Sequence, residues 1–552
     1  MKRSYPLTIF ILIASLWLIG IVDAKAQTPS QPRIVNIINF IRLLEPRDPV
    51  NISEDVLFHT VEQQISDLRE KELPATFLIQ YDALITPRYQ ELLRNELYEG
   101  SEVGGWWEIT QPHVEAAGLK WRGRYPWDWH AHVGFATGYT PEERERLVDV
   151  YMAKFKDIFG RYPSAVGSWF IDAYSLAYMY EKYGIVASCN CRDQYGTDGY
   201  TLWGGYWNQA YYPSRINAYM PAQTQQGQIP VPIFRMLGSD PIYQYDTGVS
   251  NVQGVITLEP SCHGTGDNQK WIEWYFRTMF TKPSLAFNYV QVGQENSFTW
   301  DRMSQGWNIQ IPLIAQWHNE GRIRVESLSE SGRWFKKNFP VTPATAVTAM
   351  LDQNDNPVGS VWYNSRFYRV NMMWVHNEFR FRDIHLFDER IKSDYVDKPC
   401  ATNECRFMTM PVVDGYMWST NSAWAGLRLV EILPDGTSRQ IKTGRPEIIE
   451  KGSELIAKCH PAEGDFTIRC TEQYLYVEFN TAKQWALELT VADGKQMPFK
   501  QVRDSAIESE FNGNSYNINV KRGYFTASGN GDYILRIEPS AGVITLDFDL
   551  SK

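Results

Sequence analysis

Acidic residues recur in this chain where apolar runs end. Asp172 lies within GSWFIDAYSLAYMYEKYGI (Gly167–Ile185), at the seam between a strand-like run and a helix-like run. Glu259 follows VQGVITL, and Glu295 lies just beyond SLAFNYVQV. Asp240 and Asp246 stand in GSDPIYQYD, after the apolar PVPIFRML. Two carboxyl groups that face one bond can divide the work of breaking it. One stays ionised and attacks or activates water, and the other keeps a proton to donate. Asp172 has two readings: a catalytic carboxylate at a strand end, or a helix cap favoured by the dipole and free N–H groups of the first turn.

Rings cluster near these acids. GGWWEI carries Trp106, Trp107 and Glu108, and YPWDWHAHVGF carries Trp127, Asp128, Trp129, His130 and His132. Trp169 precedes Asp172 by three positions. Flat rings cover the C–H faces of sugars and polar tips reach their hydroxyls. The substrate-binding candidates are therefore Trp106, Trp107, Glu108, Trp129, His130, His132 and Trp169, joined by Asp240 and Asp246. The chain has 20 Trp, 31 Tyr and 26 Phe, which equally suits a bulky barrel core. No Gly-x-Ser-x-Gly elbow and no Gly-rich phosphate loop occurs, so serine hydrolysis and nucleotide chemistry are disfavoured.

Alternating elements must position these groups. RIVNIINFI, ATFLIQYDAL and SAVGSWFI read as strands that are apolar throughout, as strands buried on both faces are. Between them, SEDVLFHTVEQQISDLREKEL places Val61, Ile65 and Leu68 at helical spacing, and TPEERERLVDVYMAKFKDIFG opens on a capping box, Thr140 with Glu143. β–α alternation over about 300 residues predicts an α/β fold, a parallel β/α barrel of seven or eight strands spanning residues 27–340. Residues 341–552 change style. Alternating runs such as EQYLYVEFN and GVITLDFDL, separated by PDGT and NGNS, predict an all-β C-terminal domain of sandwich type.

Residues 1–26 read as a secretory leader: Lys2 and Arg3, an apolar run from Leu7 to Val22, and the triplet Ala24-Lys25-Ala26 before the cut. The expectation is a soluble, exported protein that holds no membrane after cleavage. The net charge of -10, with no Lys/Arg run, argues against a nucleic-acid partner. Seven cysteines follow the leader; Cys400–Cys405 and Cys459–Cys470 are near enough in sequence to close small loops.

Gly-Ser-Trp-Phe-Ile-Asp is similar to the Gly-x-Trp-Leu-Pro-Glu segment of family 57 glycoside hydrolases, whose acid after the fourth strand is the retaining nucleophile. More widely, residues 33–335 resemble the glycoside hydrolase/deacetylase β/α-barrel superfamily, which includes family 38 mannosidases and polysaccharide deacetylases. Across its whole length, including SVWYNSRFYRVNMM and RDIHLFDER, the chain resembles a secreted family of Bacteroides-like bacteria, a likeness that implies no reaction. The resemblance implies a carbohydrate substrate and retaining glycoside hydrolysis, with Asp172 as nucleophile and Glu259 as acid/base. Glu259 precedes the Trp-rich DNQKWIEWYF; Glu295 is the second choice for acid/base. The chain departs from family 57 in carrying Asp172 for Glu, Ile171 for Pro, and NFIRLLEPRD where a His-rich strand end would stand. The rival readings are a metal-dependent polysaccharide deacetylase and a non-catalytic glycan binder. His130 and His132 share a strand face and could ligate together, but the deacetylase Thr-Phe-Asp-Asp-Gly and His-x-x-x-His signatures are missing. No metal and no other cofactor is expected.

Overall fold

The computed structural model describes residues 31–249, 251–528 and 534–550. The expected leader lies outside the described residues. Seven parallel strands form the first half: β1 (Arg33–Ile41), β2 (Thr76–Ile79), β3 (Glu102–Trp106), β4 (Ala165–Gly167), β5 (Ala187–Asn190), β6 (Ile233–Arg235) and β7 (Asn288–Val292). Their spatial order is β7-β1-β2-β3-β4-β5-β6, and the two-residue β8 (Arg324–Val325) adds to β1. This is the expected barrel, closed on all but one side. Between β6 and β7 no strand ladder forms, because the antiparallel pair Ala210–Tyr211 occupies the free edge of β6. Side chains span that gap: the Leu237 N–H donates to Gln291 Oε1 at 2.7 Å, and Phe234 packs on Tyr289 with ring centroids 5.0 Å apart.

The helices form where local signals ask for them. Helix α1 (Glu54–Glu70) starts at Ser53, whose side chain accepts from the Val56 N–H, and carries Glu54 and Asp55 in its first turn. Helix α2 (Pro141–Phe159) has the complete Thr140/Glu143 capping box and stops at Gly160, in the left-handed region at φ 73°. Helix α3 (Ala173–Tyr183) has Asp172 as its N-cap. No helix among the described residues is long and apolar enough to cross a membrane.

After the barrel's last helix, Leu328–Asn338, the chain becomes antiparallel β-structure from Thr345 onward. A ten-stranded sheet runs through Tyr368–Val375 and Glu378–Leu386, and an eight-stranded sheet through Asp465–Cys470 and Tyr474–Asn480. Rings join the two sheets face to face, Phe379 on Phe466 at 5.5 Å and Phe479 on Trp485 at 5.9 Å. The arrangement is a sandwich. Its register corrects one expectation. Cys459 lies opposite Phe466 and Cys470 opposite Leu455, four ladder positions along, so those two thiols stand at opposite ends of one hairpin.

Barrel and sandwich share a buried interface. Trp207 stacks on Trp362 with centroids 4.4 Å apart and planes 1° from parallel. Beside it, Arg369 of the sandwich grips Asp383 through Nε and Nη2, both at 2.8 Å, and pairs through Nη1 with Asp193 just beyond β5. Arg235 reaches the same Asp193 at 2.7 Å. All four charged groups are buried, and taking one partner from such a cluster strands the others. Arg369→Met is expected to cost about 3–5 kcal/mol of stability, read as a lower urea midpoint with an unchanged slope. A shift within the range of neutral surface substitutions would show that the network is not holding the two halves.

Candidate active site

The C-terminal ends of the barrel strands open on a cavity of about 770 Å³. Its walls carry Trp127, Trp129, His130 and Trp169, and its carboxylates include Glu259 and Glu295. One wall comes from the C-terminal half: Asn403 and Glu404 line the cavity, and the Asn403 carbonyl accepts from the Ala131 N–H at 3.2 Å. The loop's Cys400 and Cys405 thiols lie in contact, and that hydrogen bond draws the Cys400 thiol down to about 6.

The deepest feature is a clamp at the end of β1. Arg42 donates from Nε to Glu108 Oε2 at 2.9 Å and from Nη2 to Glu108 Oε1 at 2.5 Å. Its Nη1 reaches Glu295 Oε1 at 2.8 Å, and its guanidinium lies 4.2 Å from the ring centre of Trp127. Strands β1, β3 and β7 thus each send one charged group to a single point. Gln80, just beyond β2, adds a bond to Glu108 Oε2 at 2.5 Å. Near it, burial lifts the Asp82 carboxyl to about 7, and Asp82 Oδ2 has no hydrogen-bond partner.

Glu295 reaches the clamp because β7 turns sharply at its end. Gly293 has φ 102°, and a Cβ there would lie 2.3 Å from the Ile38 carbonyl oxygen, so a side chain at this position would force the strand end outward. Burial pushes the Glu295 carboxyl up to about 6, against the pull of Arg42 and Arg47. Its two oxygens differ. Oε1 accepts from Arg42 and from Ser297 Oγ, while Oε2 is buried with no partner. Glu259 faces the cavity from another loop, with both oxygens engaged: Oε1 accepts from Thr257 Oγ1 at 2.9 Å and Oε2 from Gln294 Nε2 at 2.6 Å. Burial raises Glu259 as well, against the field of Arg192 and these two bonds. Gln294 also takes the Glu295 N–H on its Oε1 at 2.8 Å, so one amide ties the two acids together.

The remaining candidates divide. Trp129, His130 and Trp169 line the cavity. His130 Nδ1 bonds Asp128 Oδ1 at 2.8 Å, and its ring stacks on Trp129. Although burial would raise Asp128, the Arg124 fork and the His130 bonds hold it well below the ordinary carboxylate range. His132 packs beside His130 at 5.9 Å, behind the cavity surface. Glu108 is buried as the clamp's anchor and not as a sugar contact.

Five placements differ from the sequence reading. Trp106 is fully buried between Phe40 and Trp169, and Trp107 packs against His113 and Tyr151 behind the sheet; consecutive strand residues point to opposite faces, and neither face here is open. Asp240 is a buried loop cap that accepts from the Ile242 and Tyr243 N–H groups and from Trp271 Nε1. Asp246 pairs with Arg382 at 3.0 Å, at the seam with the sandwich. Asp172 is sealed: Oδ1 caps α3 by accepting from the Ser175 N–H at 2.8 Å and pairs with the buried Arg144 at 3.0 Å. It does not line the cavity, so the residue expected as nucleophile is a buried helix cap.

Reading the sequence alone missed Arg42, Gln80, Asp82, Arg192 and Gln294. Arg42 had a signal, a cation directly after nine apolar-run residues in NFIRLLEPRD. Among the described residues no three His, Cys, Asp or Glu side chains converge as a metal-ligand set.

No family model matches the chain, and no curated protein does. Solved structures do. A glycoside hydrolase/deacetylase candidate from Parabacteroides distasonis is 14% identical, with a TM-score of 0.52 over 69% of this chain and 91% of its own. A polysaccharide deacetylase candidate from Mycobacterium smegmatis is 12% identical, with a TM-score of 0.33 over 57% of this chain and 94% of its own. The 4-alpha-glucanotransferase of Thermococcus litoralis is 10% identical, with a TM-score of 0.31 over 94% of this chain and 99% of its own. The Parabacteroides likeness is one of fold: this chain is built on the barrel-plus-β plan of that protein.

Proposed function

We propose that this chain is an exported carbohydrate-active enzyme that hydrolyses glycosidic bonds, with Glu295 as proton donor and Glu259 as its ionised partner. The observation that carries the reading is the pair itself. Of the four acids that line the tryptophan-walled cavity, Glu259 and Glu295 are tied together by Gln294, and their surroundings treat them differently. Glu295 has one oxygen fixed by Arg42 and Ser297 and the other buried without a partner, so its proton is placed on Oε2, which a leaving oxygen must approach to receive it. Glu259 accepts on both oxygens, as a carboxylate does, in the field of Arg192. Environments that separate two carboxyls in this way assign acid and base. The roles are thus the reverse of the sequence expectation for Glu259, and Glu259 takes the place that expectation gave to Asp172. With Glu259 as nucleophile the course is retaining, through a covalent glycosyl-enzyme. Trp129 and Trp169 supply ring surface for the sugar. The folds of the structural neighbours agree with a carbohydrate substrate.

A panel of polysaccharides identifies the glycan that is cut. On it, Glu295→Gln and Glu259→Gln are each expected to lower kcat on the order of 10²–10⁴-fold with the fold intact. Retention of full rate by either variant would remove that residue from the chemistry.

The pH dependence has a defined sign. Glu295 must be protonated to act, and its carboxyl is pushed up from 4.5 to about 6. Its protonated fraction falls as pH rises through about 6, so kcat/KM should decline there, and the decline should vanish in Glu295→Gln. An alkaline limb near the ordinary carboxylate value would contradict the assignment.

Asp172→Asn should keep turnover and lose stability. The change leaves the Arg144 guanidinium without its anion, at a cost of about 3 kcal/mol or more, visible as a lower melting midpoint. Loss of turnover in a fully folded Asp172→Asn protein would return Asp172 to the site.

A further inference from the structure

Arg192 is the one cavity-lining arginine for which no carboxylate lies within ion-pair distance among the described residues. It follows β5 directly and is buried, with 2% of its surface exposed. Nη1 donates to the Asp193 carbonyl at 2.6 Å and to Gln253 Oε1 at 3.5 Å. Nε is sealed from solvent with no acceptor, and Nη2 donates to none of the described residues. Elsewhere in the protein this same Nε–Nη2 edge is the gripping edge. Arg42 uses it on Glu108, Arg369 on Asp383 and Arg124 on Asp128. The neighbouring acid, Glu259, is held by Thr257 and Gln294 and makes no hydrogen bond or ion pair to Arg192. Asp193, anchored by Arg369 and Arg235, fixes the backbone just past Arg192, so the side chain cannot swing out to water cheaply. A buried guanidinium without an anion is costly, and a planar fork pairs best with the two oxygens of a carboxylate.

We infer that Arg192 recognises an anionic sugar, a uronic acid whose carboxylate pairs with the unpartnered Nη2 end of the guanidinium at the cavity wall. The inference rests on the carbohydrate reading of the site and names the substrate class within it. A sulfate ester shares the anionic oxygen chemistry but not the planar two-oxygen geometry. A neutral sugar leaves the guanidinium unpaired and forgoes the charge-assisted bonds.

The test measures binding of purified protein to oligosaccharides of polygalacturonate and of glucuronoxylan, to the same oligosaccharides after carboxyl reduction, and to a sulfated galactan oligosaccharide. The wild type is expected to bind at least one acidic oligosaccharide ten-fold or more tighter than its reduced form. Arg192→Gln should erase that gap and Arg192→Lys should narrow it. Equal binding of acidic and reduced forms, no binding of any acidic oligosaccharide, a gap that persists in Arg192→Gln, or preference for the sulfated ligand each overturns the inference. If neither variant folds, the wild-type comparison of acidic with reduced ligand decides alone. Failure of the hydrolase reading looks different. An acidic oligosaccharide held through Arg192 but never cut would overturn hydrolysis and keep this site, whereas a neutral glycan cut through Glu295 would keep hydrolysis and overturn this site.

Discussion

The Arg42 clamp is the constraint on which the barrel mouth depends. Glu108 and Glu295 are both buried and would repel each other without a cation between them. Arg42 supplies it from the end of β1, and the face of Trp127 covers the guanidinium. The cost of burying these charges is offset only while the geometry is kept, so β1, β3 and β7 must end where they do. The clamp is also asymmetric. It satisfies one oxygen of Glu295 and leaves the other bare, while burial pushes this carboxyl up to about 6 against the pull of Arg42.

A second set of buried charges holds the two halves of the molecule in register. Asp193, at the end of β5, is shared by Arg235 of the barrel and Arg369 of the sandwich. The β-rich half also reaches the cavity directly, through Asn403 and Glu404. The sandwich is therefore part of the site's wall. The strand Cys405–Met408, paired in parallel with Tyr200–Trp203 of the barrel half, carries the wall loop into place.

Much of the fold was legible because its signals are local. Six apolar residues among the nine of RIVNIINFI mark a strand with both faces covered, and Thr140 with Glu143 marks a helix start. The site was legible in part. Glu259, Glu295, Trp129, His130 and Trp169 do reach one cavity. Asp172 shows why the rest was not. A cap and a catalytic carboxylate have the same local sequence, and what separates them is burial beside Arg144, 28 positions away, which pairs with Oδ1 and keeps Asp172 out of the cavity. Trp106 and Trp107 fail for a related reason. Ring-rich runs fill cores and line clefts alike, and only the neighbouring strands decide which face is open. The register of the Cys459–Cys470 hairpin likewise depends on a pairing that spacing alone does not fix.

The proposed chemistry has Glu259, and not Asp172, meet the sugar with an ionised oxygen while Glu295 holds the proton. Covalent trapping addresses it most directly: the 2-deoxy-2-fluoro analogue of whichever glycan is hydrolysed, followed by mass mapping of the labelled peptide. The account predicts a single glycosyl ester on Glu259. A label on Asp172, or on any residue outside the tryptophan-walled cavity, would contradict it.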